Sequence, residues 1–187
     1  YYFERGGLDK AAALFEEIVK IEPGNQGAGK NLAMLQQRKA GIDAALAKVE
    51  GELAADPSNV SLLLRKGDLL RMNGNLEEAV AVYGKVLTLQ PSNPQAHRQL
   101  ATALSFSGNR KEAIVHLNKL VEMNPADPDA YYNLACAYAV DGQTEESVKW
   151  LSKAVEKGFR NWDLLRKDKD LYNIRGTSFY RELMKNS

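Results

Sequence analysis

Residues 93–127 read NPQAHRQLATALSFSGNRKEAIVHLNKLVEMNPAD, and this stretch alone carries the signals that decide the fold. Asn93 is a residue type that caps helix N-termini, and Pro94 follows at the first helical position, where its missing N–H costs nothing. From Pro94 to about Phe106 the residues Ala96, Leu100, Ala103 and Leu104 fall on one helical stripe. Gly108 ends that helix by supplying the left-handed conformation that helix ends favour. A second helix starts near Arg110, with Ala113, Ile114, Leu117, Leu120 and Val121 on a single face. Pro125 closes it, because the residue before a proline avoids helical geometry. The stretch predicts two antiparallel helices joined by a short glycine turn.

Working outward, the same signals return at 34-residue steps. Pro23, Pro57, Pro91 and Pro125 form one column, and Gly6, Ala40, Gly74, Gly108 and Gly142 a second. Two further columns are small: Ala11, Ala45, Ala79, Ala113 and Ser147, then Ala33, Gly67, Ala101 and Ala135. So many columns in one register define an array of one repeated unit. The small residues mark where the two helices of a unit cross closely, and a larger side chain there would force them apart. One helix pair cannot bury its own apolar face, so neighbouring pairs must stack.

Within a copy the ordered pattern is a small residue, an aromatic or Leu, Gly, Ala, Tyr or Phe, an aliphatic residue or Ala, and Pro. The last copy reads Leu134-Ala135, Tyr138, Gly142, Ser147, Leu151 and Ala154, with Phe159 where Pro belongs. The partial first copy reads Tyr2, Gly6, Ala11, Phe15, Ile18 and Pro23. This pattern resembles the tetratricopeptide repeat (TPR) family over residues 1–161. The resemblance implies an all-α fold, a right-handed α-solenoid of stacked antiparallel helix pairs. The expected organisation is a partial repeat at 1–25, repeats at 26–59, 60–93, 94–127 and 128–161, and a C-terminal helical capping segment at 162–187. The tail is similar to the endings of bacterial TPR arrays. The copy at 26–59 departs most, with Gly27, Gly29 and Gly51 inside helical stretches and Val49 where an aromatic is usual. Lys66 stands where Leu32, Leu100 and Leu134 stand in other copies, a local loss of core.

Both ends are irregular. The first copy keeps one helix, about Leu8 to Ile21, with Tyr1 to Phe3 as a remnant of another, so that Leu14, Phe15 and Ile18 are expected to leave an apolar flank. That flank invites a second copy of the chain or another domain. The chain opens at Tyr1, within a repeat and without a signal-peptide pattern, which reads as a piece of something longer. At the other end Trp162, Leu164, Leu165, Leu171, Ile174, Phe179, Leu183 and Met184 are expected to cover the last pair, and the charged run Lys167 to Asp170 to be a solvated turn.

Composition excludes several classes of function. A net charge of +1 over 187 residues gives no field for nucleic acid, and no run is apolar enough to insert in a membrane. The lone Cys136 excludes an intrachain disulfide, and His97 and His116 lack a ligand-spaced partner, so no metal or other cofactor is expected. His97 and Cys136 read as core residues. The pairs Glu16-Glu17, Glu77-Glu78 and Glu145-Glu146 read as solvated surface. No catalytic constellation emerges, and the chain is expected not to be an enzyme.

The resemblance implies that the first helix of each pair lines a concave groove that receives an extended peptide or a partner helix. Asn31, Arg65, Gln99 and Asn133 then form a polar column in the groove, able to grip a peptide main chain. The competing reading is that these residues brace neighbouring helices. Lys30, Arg98 and Thr102 surround the column, with Phe106 and Tyr132 as apolar anchors, and the basic bias of this face suggests an acidic protein or peptide as partner. The carboxylate clamp of TPR co-chaperones is matched only at Lys30. The function expected is a non-catalytic interaction scaffold. The alternative is an assembly module that forms homo-oligomers through the N-terminal half-repeat, or docks on another domain, including as the regulatory arm of an upstream enzyme.

Overall fold

The computed structural model describes residues 7–185, and among them all regular structure is helical. Gly6 and the expected helix remnant at Tyr1 to Phe3 lie outside the described residues. The chain divides into two units, Tyr1–Ser107 and Gly108–Ser187.

The first unit contains α1 (Leu8–Ile21), α2 (Gln26–Ala55), α3 (Val60–Asn73), α4 (Leu76–Leu89) and α5 (Pro94–Ser107). The α3–α4 hairpin shows how the repeat works. Asn59 caps α3 by accepting from the Leu62 N–H at 3.1 Å. Gly74 ends it at φ 93°, the left-handed region that glycine enters without steric cost. The pair then closes so tightly that the Tyr83 ring lies over Gly67, and Tyr83 and Ala79 are fully buried. Tyr83 donates from its hydroxyl to Asp68 Oδ1 at 2.7 Å. Lys66 stays half-buried and extends its ammonium to Glu50 at 2.7 Å.

The copy at 26–59 does not form a helix pair. Gln26–Ala55 is one continuous 30-residue helix, about 45 Å long at 1.5 Å per residue. Two features of the sequence cause this. The turn column offers Ala40 where Gly74, Gly108 and Gly142 adopt positive φ, and alanine enters that region only at a cost of about 1–2 kcal/mol. In addition, the buried residues Ala28, Leu35, Ile42 and Val49 stand seven apart, with half-buried Leu32, Lys39, Leu46 and Leu53 beside them. That is the seam of a coiled coil, and it favours an unbroken helix. Two shorter helices use the seam in succession. Leu8 and Ala11 of α1 pack with Leu35 and Ile42, where Asp9 also pairs with Lys39. On the C-terminal half, α3 is tied by the Lys66–Glu50 pair and by Asn73 donating to Asp43 at 3.3 Å.

The second unit contains α6 (Arg110–Met123), α7 (Pro128–Val140), α8 (Thr144–Glu156), α9 (Trp162–Lys167), a 3-10 helix (Lys169–Ile174) and α10 (Ser178–Lys185). The α7–α8 hairpin turns at Gly142, φ 80°. Ser147 takes the small column there, fully buried, and donates to the Ala135 carbonyl at 2.7 Å. Beyond α8 the chain turns back over the hairpin. Phe159, Leu165, Leu171 and Ile174 bury themselves with Leu151 and Ala154, and Trp162, Phe179, Leu183 and Met184 pack around them. Leu164 does not join this cover and stays exposed.

One further device recurs in the repeats. The carbonyl of the column proline is met by a side chain at three of its four positions: Lys85 Nζ reaches Pro57 at 2.8 Å, His97 Nε2 reaches Pro91 at 2.9 Å, and Tyr131 Oη reaches Pro125 at 3.1 Å.

Candidate peptide-binding face

In the first unit, α3 and α5 touch each other and are the first helices of successive repeats. The inner side of α5 is filled by Ala96, His97, Leu100, Ala101, Ala103 and Leu104, all buried. This leaves Arg98, Thr102 and Phe106, at i, i+4 and i+8, half-buried along one outer strip with Gln99 at its edge. Thr102 spends its hydroxyl on the Arg98 carbonyl at 2.9 Å. On α3, Arg65 is exposed and Asp68 lies one turn on, held between the Tyr83 hydroxyl and Arg71 Nη2 at 3.9 Å. Burial, and then the Asp68 carboxylate, push the Tyr83 hydroxyl above the ordinary tyrosine range, so it serves as a fixed donor.

Lys30 and Asn31 do not join this strip. Both are exposed, but they stand on the α1 side of the straight α2. The Lys66–Glu50 pair sets α3 beside the far half of that helix. Asn31 is 19 residues back from Glu50, about 28 Å along the axis. The Asn31–Arg65 step expected from the 34-residue spacing is therefore broken, and the missing turn at Ala40 is the cause.

In the second unit, Asn133 is half-buried on α7, whereas Tyr132 is buried and is not a groove anchor. Its ring stacks on Phe159 with centroids 4.4 Å apart and planes 9° from parallel, and its hydroxyl bonds the Asp168 carboxylate. The same carboxylate accepts from Cys136 Sγ at 3.5 Å. Asp168 also caps the 3-10 helix through the Asp170 N–H at 2.9 Å, and its carbonyl takes Arg175 Nη2 at 2.8 Å. The run Lys167 to Asp170 is thus no solvated turn at Asp168. Sequence reading missed this residue because its partners lie 32 and 36 positions away. Burial pushes the Tyr132 hydroxyl and the Cys136 thiol well above their ordinary ranges, and the neighbouring Asp168 charge adds to both. A thiol held in that way is a packing group and a weak donor, not a nucleophile.

Among the described residues no group of His, Cys, Asp and Glu is arranged to hold a metal ion, and no helix is long and apolar enough to cross a membrane. Three family models match the chain: a TPR repeat model at residues 67–105, and tetratricopeptide repeat models at 94–127 and 116–149. The chain carries tetratricopeptide repeats across residues 67–149. None of the curated proteins is a significant sequence match. Solved TPR structures show the same all-α solenoid fold class. A TPR protein from Parabacteroides merdae aligns at TM-score 0.67 and 21% identity, over 99% of this chain and 72% of that one. MamA aligns at 0.63 and 20%, over 95% and 88%. YrrB, a TPR protein with an unusual peptide-binding site, aligns at 0.62 and 22%, over 87% and 84%. TPR proteins bind proteins or peptides, and this TPR chain is in general terms a protein–protein interaction scaffold.

Proposed function

We propose that this protein is a non-catalytic module that holds an extended, acidic peptide against α3 and α5. The observation that carries the reading is the outer strip itself, where Arg65, Arg98, Gln99, Thr102 and half-exposed Phe106 sit on two touching helices. Gln99 offers both donor and acceptor to a peptide backbone, the arginines select carboxylates, and Phe106 gives a side chain something to bury against. Asn133 belongs to the same column of the repeat and would act in its own unit.

The test is a fluorescence anisotropy titration with a labelled Asp/Glu-rich peptide and a neutral Ser/Gly peptide of equal length. The acidic peptide should bind more tightly, lose affinity with added salt, and lose it severalfold in Arg65→Ala/Gln99→Ala while helicity is kept. Equal affinity for both peptides, or no change in the double variant, refutes the proposal.

An assembly role has one specific observation in its favour. Leu14, Ile18 and Ile21 form an exposed stripe on α1, with 47%, 39% and 72% of their surface open. Light scattering across a concentration series separates the readings: Ile18→Glu should dissolve an oligomer built on this stripe and leave peptide binding alone.

A further inference from the structure

We infer that residues 26–55 close into the helix pair their 34-residue register encodes, hinging at Ala40–Gly41, so that the straight α2 is one of two states of this segment.

Its residues are placed for a pairing that the straight helix leaves unmade. In later copies the small columns are sealed: Ala79, Ala113, Ser147 and Ala135 are fully buried and Ala101 is 1% exposed. In α2 the same columns lie open, with Ala33 exposed and Ala45 only half-buried. The apolar balance agrees. Val86, Leu120 and Ala154, in the column of Ile18, are at most 3% exposed, whereas Ile18 is 39% exposed, and Met34 nearby is 55% exposed. The packing of α1 on α2 also leaves a cleft of about 210 Å³ beside Leu35 and Lys39.

The hinge is identifiable from its neighbours. In α3–α4 the turn is Gly74-Asn75, after Asn73, and Asn109 likewise follows Gly108. At the same place α2 has Ala40-Gly41, with the glycine one residue late and nothing within 4 Å of where its Cβ would be. Gly41 lowers local helix preference, while Ala40 resists the left-handed turn, so the two states are balanced rather than one being excluded. The cap for the first helix of the closed state already exists at Asn25, whose side chain accepts from Ala28. Closing would set Ala33 against Val49 as Gly67 is set against Tyr83. Only where the groove reading holds does a second consequence follow, that Asn31 comes into step with Arg65 and Gln99.

The test traps the closed state in the whole chain with Cys136→Ser, which removes the single native thiol. Cysteines introduced as Ala33→Cys and Val49→Cys are 16 residues apart, about 24 Å in a straight helix and beyond disulfide reach. Under a glutathione buffer they should form an intrachain disulfide, read by mass and by non-reducing gel. Trapping should be about tenfold faster with Ala40→Gly/Gly41→Asn, and slower with Gly41→Ala. Gly29→Cys with Ala45→Cys has the same separation but falls off the hairpin register, and should stay reduced. Spin labels at Lys30→Cys and Lys48→Cys, both exposed, avoid the buried Val49. They should report a distance of about 27 Å together with a shorter one. Absence of the intrachain disulfide in the glycine-turn background, equal trapping of the off-register pair, exclusively interchain disulfides, or the long spin-label distance alone would each overturn the inference.

Discussion

Substituting Gly67 by alanine tests the packing logic of the repeat most directly. A Cβ built at Gly67 would lie 2.7 Å from Tyr83 Cζ and 2.9 Å from Cδ1, with Cε1 closer still. Carbon atoms pack at about 3.5–4.0 Å, so the ring must retreat by roughly 1 Å. It has little freedom to do so, since Tyr83 is fully buried and its hydroxyl is tied to Asp68 at 2.7 Å. Overpacking of this kind costs about 1–3 kcal/mol. The helix preference of alanine over glycine returns about 1 kcal/mol, leaving a net loss of up to about 2 kcal/mol. Gly51 supplies the contrast, because nothing lies within 4 Å of its Cβ position. Gly51→Ala should stabilise by up to about 1 kcal/mol. Urea unfolding followed by circular dichroism measures both, and Gly67→Ala should have the lower midpoint of the pair. In a Tyr83→Leu background the penalty should shrink by about 1 kcal/mol or more, the coupling expected of residues in contact. If Gly67→Ala stabilises the parent as much as Gly51→Ala does, the close α3–α4 crossing is not the reason for the small column.

Other perturbations address the second unit and the pH response. Asp168→Ala strips partners from Tyr132 and Cys136 and a cap from the 3-10 helix, and should cost about 1–3 kcal/mol. It should also make Cys136 react faster with an aromatic disulfide reagent, and an unchanged rate would mean that the cap does not depend on this carboxylate. Ser147→Ala should cost no more than about 1 kcal/mol, since the column holds alanine in the four other copies, whereas Ser147→Leu should unfold the hairpin by circular dichroism. Cys136, Tyr83 and Tyr132 hold their protons more tightly folded than unfolded. The unfolded chain therefore binds fewer protons at alkaline pH, and stability falls as pH rises, from about 8.5 for the thiol and about 10 for the phenols. The urea midpoint should decline over that range, and Cys136→Ser should remove only the earlier part of the decline. A midpoint that rises there contradicts the assignment.

The repeat was legible because its signals are local. Caps at Asn59 and Asn93, turns at Gly74 and Gly142 and apolar faces at helical spacing each act within a dozen residues, and the structure places helices accordingly. What escaped were competitions between signals. The 34-residue register at 26–59 coexists with a seven-residue seam through Ala28, Leu35, Ile42 and Val49, and at Ala40 the seam wins. Tyr132 has the column position of a groove residue, yet Phe159 and Asp168 claim it from the folded-back tail. Neither outcome can be read from one position, because each depends on a partner that only the folded chain brings near.

The proline carbonyls carry a wider consequence. Lysine, histidine and tyrosine answer the same oxygen at Pro57, Pro91 and Pro125, the lysine from the second helix of its repeat and the others from the first helix that follows. The unit thus specifies where a proton donor must arrive and leaves open which side chain delivers it. Copies of such a unit can drift far apart in composition without losing their places. A module organised in that manner can change the chemistry it shows to a partner, one residue at a time, over an unaltered frame.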